Sequence, residues 1–289
     1  MKMPAPRAAQ ADRGQGGPHR RNTGMIEIGN DPSDVALFAS DMHLGEHDPA
    51  TAAHFLGAFD RVAPAATHLF LLGDLFEAWV GDDQTDAIAD AFIARLRSLS
   101  DRGKQLFVVR GNRDFLLDVP LPEAVHVVPF SQRSGARMLD DPHPVRLFGC
   151  TVLLAHGDAL CTDDVEYQQA RTLARSAEWQ REFLARPLEE RLAIASRLRD
   201  DSRRTQAERA LEGKAPGDVD VEAVEQALRD AHAQVLIHGH THRPALHRHE
   251  VDGVERQRWV LSDWQEPQDS RPARGTFVRV DRGGWRLVS

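Results

Sequence analysis

The sequence is poor in the features that mark secreted, membrane-spanning and nucleic-acid-coating proteins. It holds two cysteines, Cys150 and Cys161, in 289 residues. That is too few for a disulfide framework, and the default for two thiols is a reducing compartment. No apolar stretch approaches the ~18–20 residues that span a bilayer. Basic residues are not in excess: the formal net charge is -8, so the footprint of a general nucleic-acid binder is missing. The N-terminal stretch carries Lys2, Arg7, Arg13, Arg20 and Arg21 among Pro, Gly, Ala and Gln. No apolar run follows these charges, so the pattern of a secretory signal is absent. Residues 1–33 are therefore expected to form a disordered basic extension.

What remains is the composition of a globular protein with room for a core, 41% hydrophobic and 28% charged. Its length suits one large domain or a domain with an insertion. Five short apolar runs end in similar punctuation. Val35–Ala39 leads into Ser40-Asp41-Met42-His43, and His68–Leu72 into Gly73-Asp74. Gln105–Val109 leads into Arg110-Gly111-Asn112-Arg113-Asp114, and Thr151–Ala155 into His156-Gly157-Asp158. Val235–Ile237 leads into His238-Gly239-His240-Thr241-His242. Such runs read as buried strands. Ala50–Val62 and Thr85–Leu99, apolar at three- and four-residue spacing, read as helices between the early ones. Strand–helix–strand order predicts parallel pairing in an α/β layered domain, where ligands gather at the carboxyl ends of the strands. Trp259–Leu261, Thr276–Val280 and Trp285–Val288 read as short closing strands.

Residues from about 165 to 210 lack strand signals and read as two or three helices interrupted near Pro187. Arginines outnumber acidic residues there, in a chain that is acidic overall. The expected organisation is a core of 34–164 and 221–289 with a helical cap inserted at 165–220. Within the cap, Trp179, Phe183, Leu184 and Leu188 are candidates for an apolar groove, although any one of them can instead pack the cap on the core.

The strand ends supply Asp41, His43, Asp74, Asn112, His156, His240 and His242. Each element alone has an ordinary explanation. Asp-x-His often opens a helix cap, and Gly-Asp and His-Gly-Asp make turns. Only Gly239-His240-Thr241-His242 suggests ligation by itself, because alternate histidines on an extended segment can face one cavity. The ordered set is far more specific than its members. Carboxylate, imidazole and amide donors suit hard or borderline divalent ions. Seven exceed the needs of one ion and fit two, with one carboxylate shared. Two ions ~3.5–4 Å apart can hold a hydroxide and clamp a phosphoryl group for in-line attack. His47, His54, His68, His126, His247 and His249 lie outside the pattern and read as ordinary histidines.

The ordered set resembles that of the calcineurin-like metallophosphoesterase superfamily. Longer strings narrow the resemblance: Gly73-Asp74-Leu75-Phe76-Glu77-Ala78-Trp79-Val80-Gly81-Asp82-Asp83, Gly111-Asn112-Arg113-Asp114-Phe115-Leu116, Leu160-Cys161-Thr162-Asp163-Asp164 on to Tyr167-Gln168, and His238-Gly239-His240-Thr241-His242-Arg243-Pro244. They resemble the UDP-2,3-diacylglucosamine pyrophosphohydrolases of lipid A biosynthesis in Gram-negative bacteria, over residues 35–265. The resemblance implies a four-layer αββα sandwich with a helical cap and two Mn2+ ions. It places Asp41, His43 and His242 on one ion, Asn112, His156 and His240 on the other, and Asp74 on both. It implies hydrolysis of UDP-2,3-diacylglucosamine to UMP and 2,3-diacylglucosamine 1-phosphate by hydroxide attack on the α-phosphorus. Asp74, Asn112, Arg113 and His240 would be catalytic. Asn112, Arg113, His240, Asp164, Tyr167, Ser202, Gln206 and Arg209 would contact substrate. The implied place is the cytoplasm, peripheral to the inner membrane's cytoplasmic face, with no nucleic-acid partner. The alternative is a broad-specificity phosphodiesterase acting on nucleotides.

Arg113 stands where the wider superfamily usually has histidine. An arginine stays protonated and cannot be a general acid, but it can clamp phosphate oxygens in a bidentate way. A sugar-phosphate leaving group, with a second pKa near ~6, departs without needing a proton. Arg113 therefore favours pyrophosphate cleavage over an unactivated diester. The chain departs from the resemblance at Arg110, where histidine is usual, at Gln206, where a smaller amide is common, and at Ser262, where glycine is expected. None of these removes an implied metal ligand.

Overall fold

The computed structural model describes residues 25–122, 127–211, 217–267 and 272–289, with the side chains of 201–203 and 205–211 outside that description. In chain order the elements are β1 (Ile26–Ile28), β2 (Ala36–Ala39), α1 (Pro49–Val62), β3 (His68–Leu72), α2 (Ala87–Asp101), β4 (Gln105–Val109), α3 (Phe130–Ser134), β5 (Arg137–Leu139), β6 (His143–Leu147) and β7 (Cys150–Leu154). There follow α4 (Val165–Ala174), α5 (Ala177–Leu184), α6 (Leu188–Leu211), α7 (Val221–Asp230), β8 (Val235–His238), β9 (Ala245–Val251), β10 (Val254–Val260), β11 (Phe277–Asp281) and β12 (Gly284–Val288).

The strands form two mixed six-stranded sheets, ordered β1-β6-β7-β8-β10-β9 and β12-β11-β2-β3-β4-β5. β2, β3 and β4 run parallel, as do β7, β8 and β10, so each trio delivers its carboxyl ends to one edge. The alternation of side chains along β2–β4 sets the layers. Leu37, Ala39, Leu69, Leu71, Leu106 and Val108 pack with Phe55 and Phe59 of α1 and Phe92 and Leu96 of α2. The alternate residues Phe38, Phe70, Leu72, Phe107 and Val109 face the other sheet, meeting Val145, Val152, Leu154 and Ile237. Phe38, Phe70 and Phe107 stack across neighbouring strands with centroids 4.9 and 4.8 Å apart. On the far side, Leu153 and Leu236 pack against Val224 and Leu228 of α7. The result is an αββα sandwich whose inner strands are buried on both faces, which is why they read as unbroken apolar runs.

The two early helices start where their caps dictate. Asp48 accepts from Thr51 N at 3.0 Å ahead of Pro49, and Asp86 accepts from Ala89 N at 2.8 Å. The last turn of α5 inserts Phe183 and Leu184 into the core beside Trp79 and Val80. α6 is anchored by Arg191, only 2% exposed, which donates to Val80 O at 2.6 Å and pairs with Asp83.

The expected disordered stretch of residues 1–33 needs correction at its end. Ile26–Ile28 is a strand, paired parallel with β6, because Ile28 reaches the inter-sheet core. Residues 1–24 lie outside the described residues, as do His126 and residues 212–216 of the expected 211–220 loop. β5, β6 and β9 carry no strong alternation and were not anticipated. No described helix is long and apolar enough to cross a membrane.

Candidate active site

The five strand-end turns meet at one place. Asp41, Asp74 and Asn112 follow β2, β3 and β4 of one sheet, and His156, His240 and His242 follow β7 and β8 of the other. The backbone there is unusual: Asp41, His43, Asp74, His240 and His242 all have positive φ, between 49° and 67°. Non-glycine residues held in that region mark a site that the surrounding packing over-determines. The glycines of the motifs are dictated by proximity. A Cβ on Gly111 would run into the Asp74 carboxylate, and one on Gly239 into that of Asp41.

Two donor groups result. Asp41, His43 and His242 converge, with His43 Nε2 3.2 Å from His242 Nε2 and His242 Nε2 3.5 Å from Asp41 Oδ1. Asp41, Asp74 and His156 also converge, with His156 Nε2 3.5 Å from Asp74 Oδ1. Asn112 Oδ1 stands 2.9 Å from His156 Nε2 and 3.0 Å from His240 Nδ1. Asp74 lies between the groups, its Oδ2 3.8 Å from His43 Nε2. All seven strand-end donors are thus brought together. Arg113 follows Asn112, its N–H bonded to Asp74 Oδ1 at 2.9 Å. Among the described residues the other histidines do not join: His68 stacks on Phe107, His54 lies against Trp264 and His249 faces Glu225.

The electrostatics fit a cationic guest. Burial opposes charge on His156, yet Asp74, Asp158 and Asp41 outweigh it and raise its pKa to about 9. Burial and then the neighbouring His156 push His240 down to about 4. Burial works against Asp41, but His242 holds it well below the usual carboxylate range. Crowded carboxylates that draw a proton onto one imidazole offer a field that a divalent ion would satisfy, with the histidines then neutral. Asp114 frames the turns, accepting from Gly111 N at 2.7 Å and Leu75 N at 2.6 Å.

A cleft of about 110 Å3 opens beside the donors. Asn112, Arg113, Glu77 and Arg199 form its polar end, and Phe115, Trp179, Phe183, Ile194 and Leu198 are among its apolar walls. Of the anticipated groove residues, Trp179 and Phe183 line it, whereas Leu184 is buried in the core and Leu188 packs against it. Asp164 caps α4, accepting from Tyr167 N at 3.1 Å. The Tyr167 hydroxyl donates to Asp158 at 2.9 Å, and its ring lies 6.1 Å from that of His240. The side chains of Ser202, Gln206 and Arg209 lie outside the described residues. Sequence reasoning missed Glu77 and Arg199 as cleft residues, and also the anchoring of α4 on Asp158 by Arg171 at 2.8 Å.

His238 ends β8 just before the donors and is fully buried. Burial, reinforced by the Arg258 guanidinium, depresses its pKa to about 3. The unfolded chain takes up a proton on His238 near the ordinary histidine value and the folded one does not. Stability present above pH ~6.5 is therefore lost as pH falls toward about 3. The urea midpoint is expected to fall from pH 7.5 to 5.5, and to fall less steeply in His238→Gln; equal slopes would remove His238 as a cause.

A sandwich that gathers aspartate, asparagine and histidine at the ends of five strands defines a metal-dependent phosphoesterase. The chain belongs to the calcineurin-like phosphoesterase family, whose model matches residues 35–244. Membership implies divalent metal ions, and the chain is a hydrolase. A UDP-2,3-diacylglucosamine hydrolase of Stenotrophomonas maltophilia is 41% identical, covering 88% of this chain and 97% of its own. The protein of that name from Chromohalobacter salexigens is 44% identical, covering 86% and 93%. That from Bordetella pertussis is 42% identical, covering 85% and 91%.

Proposed function

We propose that the protein hydrolyses the pyrophosphate bond of UDP-2,3-diacylglucosamine, releasing UMP and 2,3-diacylglucosamine 1-phosphate. The observation that carries this reading is the cleft, which joins the donor cluster and Arg113 to walls of Trp179, Phe183, Ile194 and Leu198. A substrate with a diphosphate at one end and acyl chains at the other matches that polarity. The similarity to relatives of this name, over 88% and 86% of this chain, supports it further.

In this reading Asp41, His43 and His242 would hold one Mn2+, Asn112, His156 and His240 would hold the second, and Asp74 would serve both. When bound, such ions acidify a water and offset charge on phosphoryl oxygens. The chain's own residues position the reactants. Arg113 carries a fork of donors to the diphosphate, its backbone pinned by Asp74 and by Trp79, whose N–H donates to Arg113 O at 2.9 Å. The Asn112 amide lines the cleft with His240 beside it, and the two would orient the phosphate under attack. Asp164, Tyr167, Ser202, Gln206 and Arg209 remain candidates for the nucleotide and sugar contacts. The helices of 165–211 act as a cap. Their arginines and the exposed Leu173, Leu192 and Leu198 suit a peripheral seat on the cytoplasmic face of the inner membrane, where such a substrate would reside.

The reading is tested by turnover of UDP-2,3-diacylglucosamine by Mn2+-loaded protein in 18O water. Labelled UMP with unlabelled acyl-sugar 1-phosphate is the expected result; label in the sugar phosphate, or no turnover, would overturn it. Trp179→Ala is expected to lower kcat/KM on the acylated substrate by about tenfold, equivalent to about 1.4 kcal/mol of lost apolar contact, with kcat little changed. An unchanged KM would remove Trp179 from the acyl wall.

A further inference from the structure

The two donor groups differ in what stands behind their imidazoles. His43 Nδ1, pointing away from the cluster, lies 3.3 Å from Glu77 Oε2. His242 Nδ1 lies 3.7 Å from Asp263 Oδ2. Both carboxylates are buried, Glu77 being 8% and Asp263 2% exposed. On the other side, His156 Nδ1 donates to a backbone carbonyl, that of Leu72, at 2.9 Å. His240 turns its Nδ1 toward the cluster, 3.0 Å from Asn112 Oδ1. The nearby buried Asp158 has its Oδ2 engaged by Tyr167, Arg171 and Arg175.

A carboxylate behind a ligating imidazole fixes the tautomer, orients the ring and raises its basicity, and does so more strongly than a carbonyl. We propose that Glu77 and Asp263 are positioning residues that make the ion position of Asp41, His43 and His242 the tighter of the two. Each is itself held. Arg199 of α6 stands 3.7 Å from Glu77 Oε1, so the helix that walls the cleft also steadies His43. Arg274 pairs with Asp263 at 2.6 Å and donates to His242 O at 2.8 Å. The two supports come from opposite sheets, Glu77 from beyond β3 and Asp263 from beyond β10. Asp263 does not line the cleft, and Glu77 borders its polar end only as an anion, which has no donor to offer a phosphate. They act through the histidines.

The inference rests on the metal reading given above, and one titration separates the two. Metal-free full-length protein is titrated with Mn2+, the free ion being read by electron paramagnetic resonance. Wild type is expected to show two classes of site. Glu77→Gln and Asp263→Asn should each weaken the tighter class by about 10- to 100-fold and leave the weaker class within about twofold. The weaker class is an internal control, since general damage to the fold would move both. If Glu77→Gln does not fold, Asp263→Asn gives the same readout from the other sheet. One class in wild type, unchanged affinities in the variants, or a shift confined to the weaker class would overturn the inference. No Mn2+ binding by wild type would overturn the metal reading itself.

Discussion

Asp74→Ala is expected to abolish turnover, by at least about 1000-fold on the scale of about 1.4 kcal/mol per decade, because several kcal/mol of charge stabilisation would go with the carboxylate proposed to serve both ions. The two oxygens of Asp74 face the two donor groups, Oδ1 3.5 Å from His156 and Oδ2 3.8 Å from His43. It also holds the turn after β4 through Arg113 N. The metal-free protein should nonetheless keep its fold. Asp74, Asp41 and Asp114 are buried together, and burial followed by the Asp74 charge pushes Asp114 up to about 6. Removing one carboxylate relieves that crowding, so the thermal midpoint without metal should not drop. Activity and bound Mn2+ measured side by side check both halves. Near-normal turnover in this variant would sink the shared-carboxylate mechanism.

Arg113→Lys is expected to lower kcat/KM by about 100-fold, or about 2.7 kcal/mol, although the charge is kept. The backbone of Arg113 is fixed from both sides, by Asp74 Oδ1 and by Trp79 N. Its guanidinium reaches the polar end of the cleft, close enough to help hold Glu77 down to about 2, after burial and His43 are counted. A planar fork on a backbone so held can grip two phosphate oxygens at once, and an ammonium cannot. The loss should fall mainly on kcat, since the grip matters most as charge shifts toward the leaving phosphate. An unchanged rate would mean that Arg113 does not clamp phosphate.

The central strands and their polar ends were legible because burial on both faces writes an unbroken apolar run and the chemistry sits directly behind it. β3 and β4 appear with the expected bounds. β1 was hidden by its three-residue length and by the basic stretch before it. Within the longest matching string, residues that look alike do different work. Asp74 joins the donors, whereas Asp82 accepts from the Trp79 indole at 2.9 Å and Phe130 N at 3.0 Å, and Asp83 anchors Arg191. No spacing rule separates them; only the turn of the chain after β3 does. Asp263 was illegible for another reason. Its partner His242 is near in sequence, but the contact depends on β8 and β10 lying side by side in parallel.

Each set of proposed ligands draws on both sheets: Asp41 and His43 with His242, Asn112 with His156 and His240. Elsewhere the two sheets meet through apolar side chains such as Phe38, Phe70, Val152 and Ile237, which set a distance but resist sliding only by their shape. Ions seated between the strand ends would act as rivets along that seam. Their binding energy would then count toward resistance to unfolding and rise with the logarithm of free ion concentration. A chelator would thus do more than silence the enzyme: it would unpin one layer of the sandwich from the other.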